Sequence, residues 1–544
     1  MRKIIPILFI GAILVTLFFK SIFFTRNTFF QRDTLLLFHP WMNFSKELLK
    51  NGEIPLWNPF TNCGMPFLAN FQSGVFYPLN IFFYLLSFVS AYKIYIFVHF
   101  LLTFLFMFLL LKDFELPDSA CLGGSLIWTF SGTLITRVEF FSVLGTTIWL
   151  PLNFLLLRKS MYSKKYIAFL CITLPIQLLA GHPQEFFYSL LFLIGYTVFY
   201  SIDKKSLKPI FIFISVILMA FLLSAIQLLP SIELILNSRR VSIDINQAKI
   251  EGMDYDESTY LSLKLSDLKN IIYPFYYKEE VVKKALKEKI LYIPHLWIKC
   301  HHIGIIGFIC GIIGLFFVKK KIKWYLILAI LFATMFSLGG NLPFYNLVYR
   351  FFLPSRFIRH PATVIYISIF CFSIFSAFGI SYLKKDFFRA LLSVIAFLEL
   401  FSYGKNINLS LPSEIFVSRD SNINFLTSQK GFFRFTLTPL TLKITKTKGK
   451  NLFDSFVKYR DKLYGNVNMI YHLYNFYGQD IEIRNFYKFV DRVFSKPSLD
   501  SASKLLGLAN VKYVLSYKEL PTSNFELVHK NSFFIYKNKK NGRK

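Results

Sequence analysis

Eleven apolar runs recur through the first 404 residues of this chain, separated by connections that alternate in charge. They fall at roughly 4–24, 79–111, 119–136, 140–157, 166–181, 185–201, 209–230, 302–318, 324–338, 361–383 and 388–404. A helix needs ~20 apolar residues to cross a bilayer, and in lipid the backbone must satisfy its own hydrogen bonds, so such runs are read as membrane helices. The 79–111 run exceeds one span and predicts an interfacial helix followed by a membrane helix from about Tyr92 to Leu111. The 119–136 run holds Gly123, Gly124, Ser131 and Gly132 and is expected to be broken or re-entrant. The first run follows Arg2 and Lys3 and has no small-residue cleavage site, so it reads as an uncleaved helix.

A net charge of +31 would suit a nucleic-acid partner, but much of the excess sits in short connections between apolar runs. Arg2/Lys3, Lys112, Arg158/Lys159/Lys164/Lys165, Lys204/Lys205/Lys208, Lys319/Lys320/Lys321/Lys323 and Lys384/Lys385/Arg389 occupy alternate connections. The positive-inside rule puts all of them in the cytoplasm. Each falls where an eleven-span protein with a cytoplasmic N-terminus requires it, so the expected partner is the lipid bilayer of the inner (cytoplasmic) membrane and not nucleic acid. The outer connections are then 25–79 (the first outer loop), 137–139, 181–185, 231–301 (a long outer loop) and 339–360. From about Lys405 apolar runs shorten to strand length, as in 432–445, 511–517 and 533–538, around a helix-like stretch at 497–508. The expected architecture is an α-helical polytopic membrane domain over 1–404 and a small extracytoplasmic α+β domain over 405–544.

The side chains able to do chemistry gather on the proposed outer side. Asp33, a few residues past the first span, suits a general base or a metal ligand; the bland alternative is a cap on the helix that follows. Arg356 and Arg359, in LPSRFIRHPATV, suit a phosphate; the alternative is snorkelling to lipid headgroups. His182 and Gln184, in a tight turn, are either sugar ligands or exposed turn residues. Gln72, Trp57, Asn58 and Tyr77 bring hydrogen-bonding and stacking groups from a Pro/Asn/Gly-rich loop, and an aromatic belt is the alternative for the rings. Arg137 and Glu139 read as a local ion pair. Among six cysteines only Cys63 and Cys300 share the outer side and can be considered for a disulfide. His301 and His302 lack a matching acidic cluster, so no metal site is expected there. Phosphate-binding glycine loops and GxSxG are absent, which disfavours a nucleotide-driven pump and a serine hydrolase.

The run GEIPLWNPFTNCGMPFLANFQSGVFYPLN (52–80) resembles the first-loop signature of the YfhO family of bacterial polytopic membrane proteins. FSGTLITR (130–137), WLPLNFLLL (149–157), LAGHPQEFFYSL (179–190), LPSRFIRHPA (353–362), LLGLANVKYVLS (505–516) and FFIYKN (533–538) match in order. The sequence departs at Val138-Glu139, where relatives commonly show a histidine. That family is similar to the C-type glycosyltransferases. The resemblance implies transfer of a sugar from a polyprenyl-phosphate donor to an envelope glycan, lipid or protein on the extracytoplasmic face. It implies that Asp33 activates the acceptor hydroxyl or positions a divalent cation, and no other cofactor. Arg356 and Arg359 would bind the lipid phosphate, with His182 and Gln184 near the sugar. The alternatives are a transporter or flippase of lipid-linked glycans and a non-catalytic envelope assembly protein. A transporter would carry mid-span charges, of which there are few; Glu399 lies near a span end.

Overall fold

Between one face rich in basic residues and another holding the polar loops run the long apolar helices that set the architecture. The computed structural model describes residues 4–239, 241–244, 249–274, 296–318, 320–444 and 449–540. Arg2, Lys3, Lys319 and parts of the long outer loop (245–248 and 275–295) lie outside them.

Among the described residues six helices are long and apolar enough to cross a membrane: Phe88–Asp113, Phe141–Ser160, Pro183–Lys204, Leu296–Phe317, Pro361–Ser381 and Asp386–Gly404. Lys208–Leu223 and Ala225–Leu236 form a seventh span if counted together, bent by 79°. The count falls short of the eleven expected spans for a physical reason. The remaining runs are helical but short: Ile4–Phe18 has 15 residues, Asp118–Thr129 12, Lys164–Leu179 16 and Ile322–Ser337 16, against the ~20 that a bilayer demands. The 119–136 run is indeed broken, at Phe130–Ser131.

Ion pairs and hydrogen bonds gather the basic connections at one face. Arg158 meets Asp113 at 2.8 Å, Lys320 meets Glu115 at 3.0 Å, Lys321 pairs with Asp203, and Ser119 donates to Asp386 at 2.6 Å. From that face the helices lead to turns on the opposite face: Pro183–Lys204 carries Asp203 at one end and begins beside His182 at the other. At 1.5 Å per residue its 22 residues cover roughly 33 Å.

On the second face the first outer loop and the segment after the last helix are stitched together. Asn27–Phe29 pairs antiparallel with Ser410–Pro412. A π-helical turn, Thr34–Phe38, leads into the helix His39–Lys50, and Trp57–Asn58 pairs with Met65–Pro66 across a turn in which Asn62 and Cys63 have positive φ. The last third builds a mixed five-stranded sheet in the order Phe525–Lys530, Phe534–Asn538, Val511–Ser516, Arg434–Leu437, Tyr474–Asn475. Phe435, Tyr513 and Ile535 from this sheet join the same apolar core as the helices. All six cysteines are free thiols, Cys63 and Cys300 included.

One helix pair is fixed by glycine. A Cβ on Gly379 would stand 1.9 Å from the Cys310 carbonyl oxygen, and one on Gly314 would stand 1.9 Å from that of Phe375. Small residues let helix backbones approach this closely. Gly379→Ala is expected to push the helices apart and cost about 1–3 kcal/mol, read as a lower unfolding temperature of the detergent-solubilised protein.

Candidate active site

Where the helices reach the second face, a cavity of about 310 Å³ opens. The first outer loop lines it with Arg32, Asp33, Asn70 and Gln72, the helix turns with His182, Gln184 and Glu185, and the 353–364 segment with Arg359, His360 and Thr363. Gln479 and Asp480, from the final third of the chain, close it. Five side chains singled out from sequence thus share one cavity: Asp33, Gln72, His182, Gln184 and Arg359.

Asp33 does not cap the following turn. Its carboxylate, 14% exposed, is gripped by the neighbouring guanidinium: Arg32 Nε lies 2.8 Å from Oδ1, and Nη2 donates to Oδ2 at 3.3 Å. Arg32 also lies over the Phe140 ring at 5.4 Å. Behind this pair burial pushes the Glu139 carboxyl up to about 8, with Arg32 drawing it down and Asp33 raising it. The expected Arg137–Glu139 pair does not form. Arg137 reaches instead to Glu185, at 3.2 Å and fully inside the protein, because a guanidinium in the low-dielectric interior needs a carboxylate partner.

Gln184 works as a clamp. Its Oε1 accepts from the Arg359 N–H at 3.3 Å, and its Nε2 donates to Thr363 Oγ1 at 2.9 Å and to the Tyr188 hydroxyl at 3.2 Å. These bonds fix the loop in which His360 takes a left-handed conformation, φ +61°, a strained state that surrounding structure has to hold. The exposed Arg359 guanidinium lies over the Tyr260 ring at 5.5 Å. His182 caps its helix, Nδ1 accepting from the Glu185 N–H at 3.3 Å.

Four residues expected at the site stand elsewhere. Arg356 donates to the carbonyls of Tyr349 (3.1 Å) and Arg350 (3.3 Å) and so folds its own loop. Asn58 is buried and builds the 58–61 turn, donating to Thr61 Oγ1 at 2.8 Å. Trp57 is 54% exposed and covers Gly64. Tyr77 is buried, its hydroxyl 2.9 Å from His99 Nε2 and accepting from Trp149 Nε1 at 3.2 Å. A turn-rich loop turns its polar groups inward to satisfy its own backbone and core.

Arg32 and Asp480 are among the cavity residues that the sequence did not single out. Arg32 adjoins Asp33, a visible signal. Asp480 lies in FYGQDIEI, where nothing local marks it. Asp480 Oδ2 accepts from Thr61 Oγ1 at 3.0 Å and Oδ1 from Asn70 Nδ2 at 3.4 Å. Among the described residues no group of three His, Cys, Asp or Glu side chains is placed to hold a metal ion. Asp33 faces a guanidinium where a divalent cation would need a set of oxygen donors, so these residues do not fit one. Glu399, the charge near a span end, receives the N–H groups of Ile305 (2.7 Å) and Ile306 (3.0 Å) and acts as a helix cap.

One turn deeper an apolar groove of about 440 Å³ begins, between the helices Pro183–Lys204, Ile322–Ser337 and Pro361–Ser381. Tyr188, Phe192, Phe199, Leu328, Phe332 and Ile367 are among its walls. Tyr188, which receives the Gln184 hydrogen bond, stands between groove and cavity.

No family model and no curated protein sequence matches the chain. Solved structures do. The mycobacterial arabinofuranosyltransferase AftD aligns at TM-score 0.56 and 10% identity over 98% of this chain, which spans only 41% of AftD. ArnT from Cupriavidus metallidurans, bound to undecaprenyl phosphate, aligns at TM-score 0.51 and 10% identity over 100% of this chain and 99% of its own. The helical body, its apolar candidate spans and its loops thus share the fold of these two structures.

Proposed function

We propose that this protein is a membrane glycosyltransferase that takes a sugar from a polyprenyl-phosphate carrier and transfers it to an envelope glycan, lipid or protein on the extracytoplasmic face. The observation that carries this reading is a polar cavity lined by Gln184 beside an apolar groove lined by its hydrogen-bond partner Tyr188. An anionic head suits the first and a long apolar tail suits the second. The lipid carrier in the ArnT structure and the YfhO-like first loop support the same class of donor. The N-terminus is then cytoplasmic, the basic face cytoplasmic, and the cavity opens on the outer side of the inner membrane.

In this reading Arg359, exposed at the cavity wall, receives the phosphate and the charge it gains as the sugar departs. Asp33, oriented by Arg32, hydrogen-bonds the reacting sugar. His182 and Gln72 contact sugar hydroxyls, Gln184 holds the Arg359 loop, and Arg356 shapes that loop from behind.

The test is transfer by the purified protein in nanodiscs, offered radiolabelled polyprenyl-phosphate glucose, N-acetylglucosamine or mannose with total envelope acceptors. Turnover of one donor is the expected result. Ala329→Trp, on the groove wall, is expected to raise KM for the long-chain donor roughly tenfold, about 1.4 kcal/mol of tail burial, and to leave a short-chain donor little changed. Lipid scrambling without transfer of any donor would overturn the enzyme in favour of a transporter.

A further inference from the structure

We propose that Asp480, delivered to the cavity by the segment beyond the last membrane helix, is the catalytic group that takes the proton from the acceptor hydroxyl. This rests on the glycosyl-transfer reading above and assigns a role that the first outer loop would otherwise be expected to fill.

Three observations point to Asp480 over Asp33. Both line the same cavity. Asp33, however, is already paired with the Arg32 guanidinium, Nη2 donating to Oδ2 and Nε lying 2.8 Å from Oδ1. The Asp480 contacts to Thr61 and Asn70 come instead from neutral donors, which aim the carboxylate without neutralising it. Secondly, burial pushes the Asp480 carboxyl up to about 7, the donors on Thr61, Asn466 and Asn70 drawing it back only in part. A base works best with its titration near the operating pH. Thirdly, Asp480 stands at a crossroads. Its neighbour Gln479 lines the polar cavity and also a second cavity of about 230 Å³ between the first outer loop and the final third of the chain, walled by Phe30, Tyr459 and Tyr464. A second substrate has a way in that the donor's groove does not occupy.

The step balances with the reactants already named. The acceptor hydroxyl oxygen bonds to the anomeric carbon while its proton passes to the Asp480 carboxylate. The bond from that carbon to the phosphate oxygen breaks, and its electron pair leaves with the polyprenyl phosphate, whose charge meets Arg359. The proton then returns to solvent.

The charged and titratable groups sharing the cavity with Asp480 are Arg32, Asp33, His182, Glu185, Arg359 and His360. On its own segment, Glu482 is turned away to Arg239 at 3.1 Å. Since the base must be ionised, wild-type kcat/KM should fall tenfold per pH unit below about 7. The experiment measures this profile on the full-length protein in nanodiscs, using whichever labelled polyprenyl-phosphate sugar it transfers. Asp480→Asn should lose about 100- to 10,000-fold at pH 8, and its residual rate should lack the acidic limb. Asp480→Glu should restore much of the rate and the limb. Thr61→Val removes a donor that favours the ionised form, so it should move the limb to higher pH, a shift that a structural role for Asp480 would not produce. A folded Asp480→Asn with wild-type kcat and an unchanged limb would overturn the proposal and leave the transferase standing. Wild-type protein that transfers no donor would overturn both.

Discussion

Asp33→Asn is expected to lower the transfer rate by roughly 100- to 10,000-fold while the protein still elutes as a single species. Asparagine keeps the shape and removes the charge. The Arg32 guanidinium, now held at 2.8 Å from a carboxylate oxygen, would lose its partner within the cavity. A hydrogen bond from substrate to an ionised oxygen would become one to a neutral amide, roughly half as strong, and the freed Arg32 would compete for the phosphate that Arg359 should receive. The loss should fall mainly on kcat, because the interaction matters most as charge redistributes. Initial rates with labelled donor, run beside the wild type, measure it. Equal turnover would keep the transferase and remove Asp33 from its chemistry.

The largest stability effect is expected at the buried pair of Arg137 and Glu185. Arg137 donates to Thr147 Oγ1 at 2.8 Å and to the Thr363 carbonyl at 3.4 Å, and its guanidinium lies over the Tyr366 ring at 5.0 Å. The Tyr366 hydroxyl returns to the Glu185 carbonyl at 2.8 Å. This network joins the helices Phe141–Ser160, Pro183–Lys204 and Pro361–Ser381 just beneath the cavity. Glu185→Ala leaves an unpaired guanidinium out of reach of water and should cost about 3–5 kcal/mol, read as a large drop in unfolding temperature in detergent. Arg137→Met with Glu185→Leu removes both charges and should recover much of that loss, a non-additivity that a double-mutant cycle reads directly. The partly exposed Arg158–Asp113 pair on the basic face should cost far less, about 1 kcal/mol, since water already screens it.

Much of this arrangement is legible in the sequence because it rests on periodicity and charge. The alternating basic connections mark the face that Arg158, Lys320 and Lys321 share, and the complementary turns bring His182, Gln184 and Arg359 together with Asp33. What stays hidden depends on local geometry or on distant chain. Arg356 and Arg359 are spaced as if on one helical face, but Leu353–Phe357 is a 3-10 turn and Ile358 is extended, so the two side chains part. Span number is obscured because a helix such as Asp118–Thr129, wrapped by other helices, is apolar for packing without needing bilayer length. Asp480 meets Thr61 and Asn70 across more than four hundred residues, a pairing that no local pattern encodes.

That long separation has a consequence for biosynthesis. The strand at Asn27–Phe29 waits for Ser410–Pro412, and the cavity wall waits for Gln479 and Asp480. A nascent chain inserted as far as Gly404 therefore displays Asp33 and Arg359 on an unfinished surface, with one strand of backbone groups still unmatched. Contacts this distant in sequence are slow to close. Every product of a premature stop before residue 480 then lacks one wall of the cavity, so the order of synthesis completes the proposed site only after the segment beyond the last helix has been made.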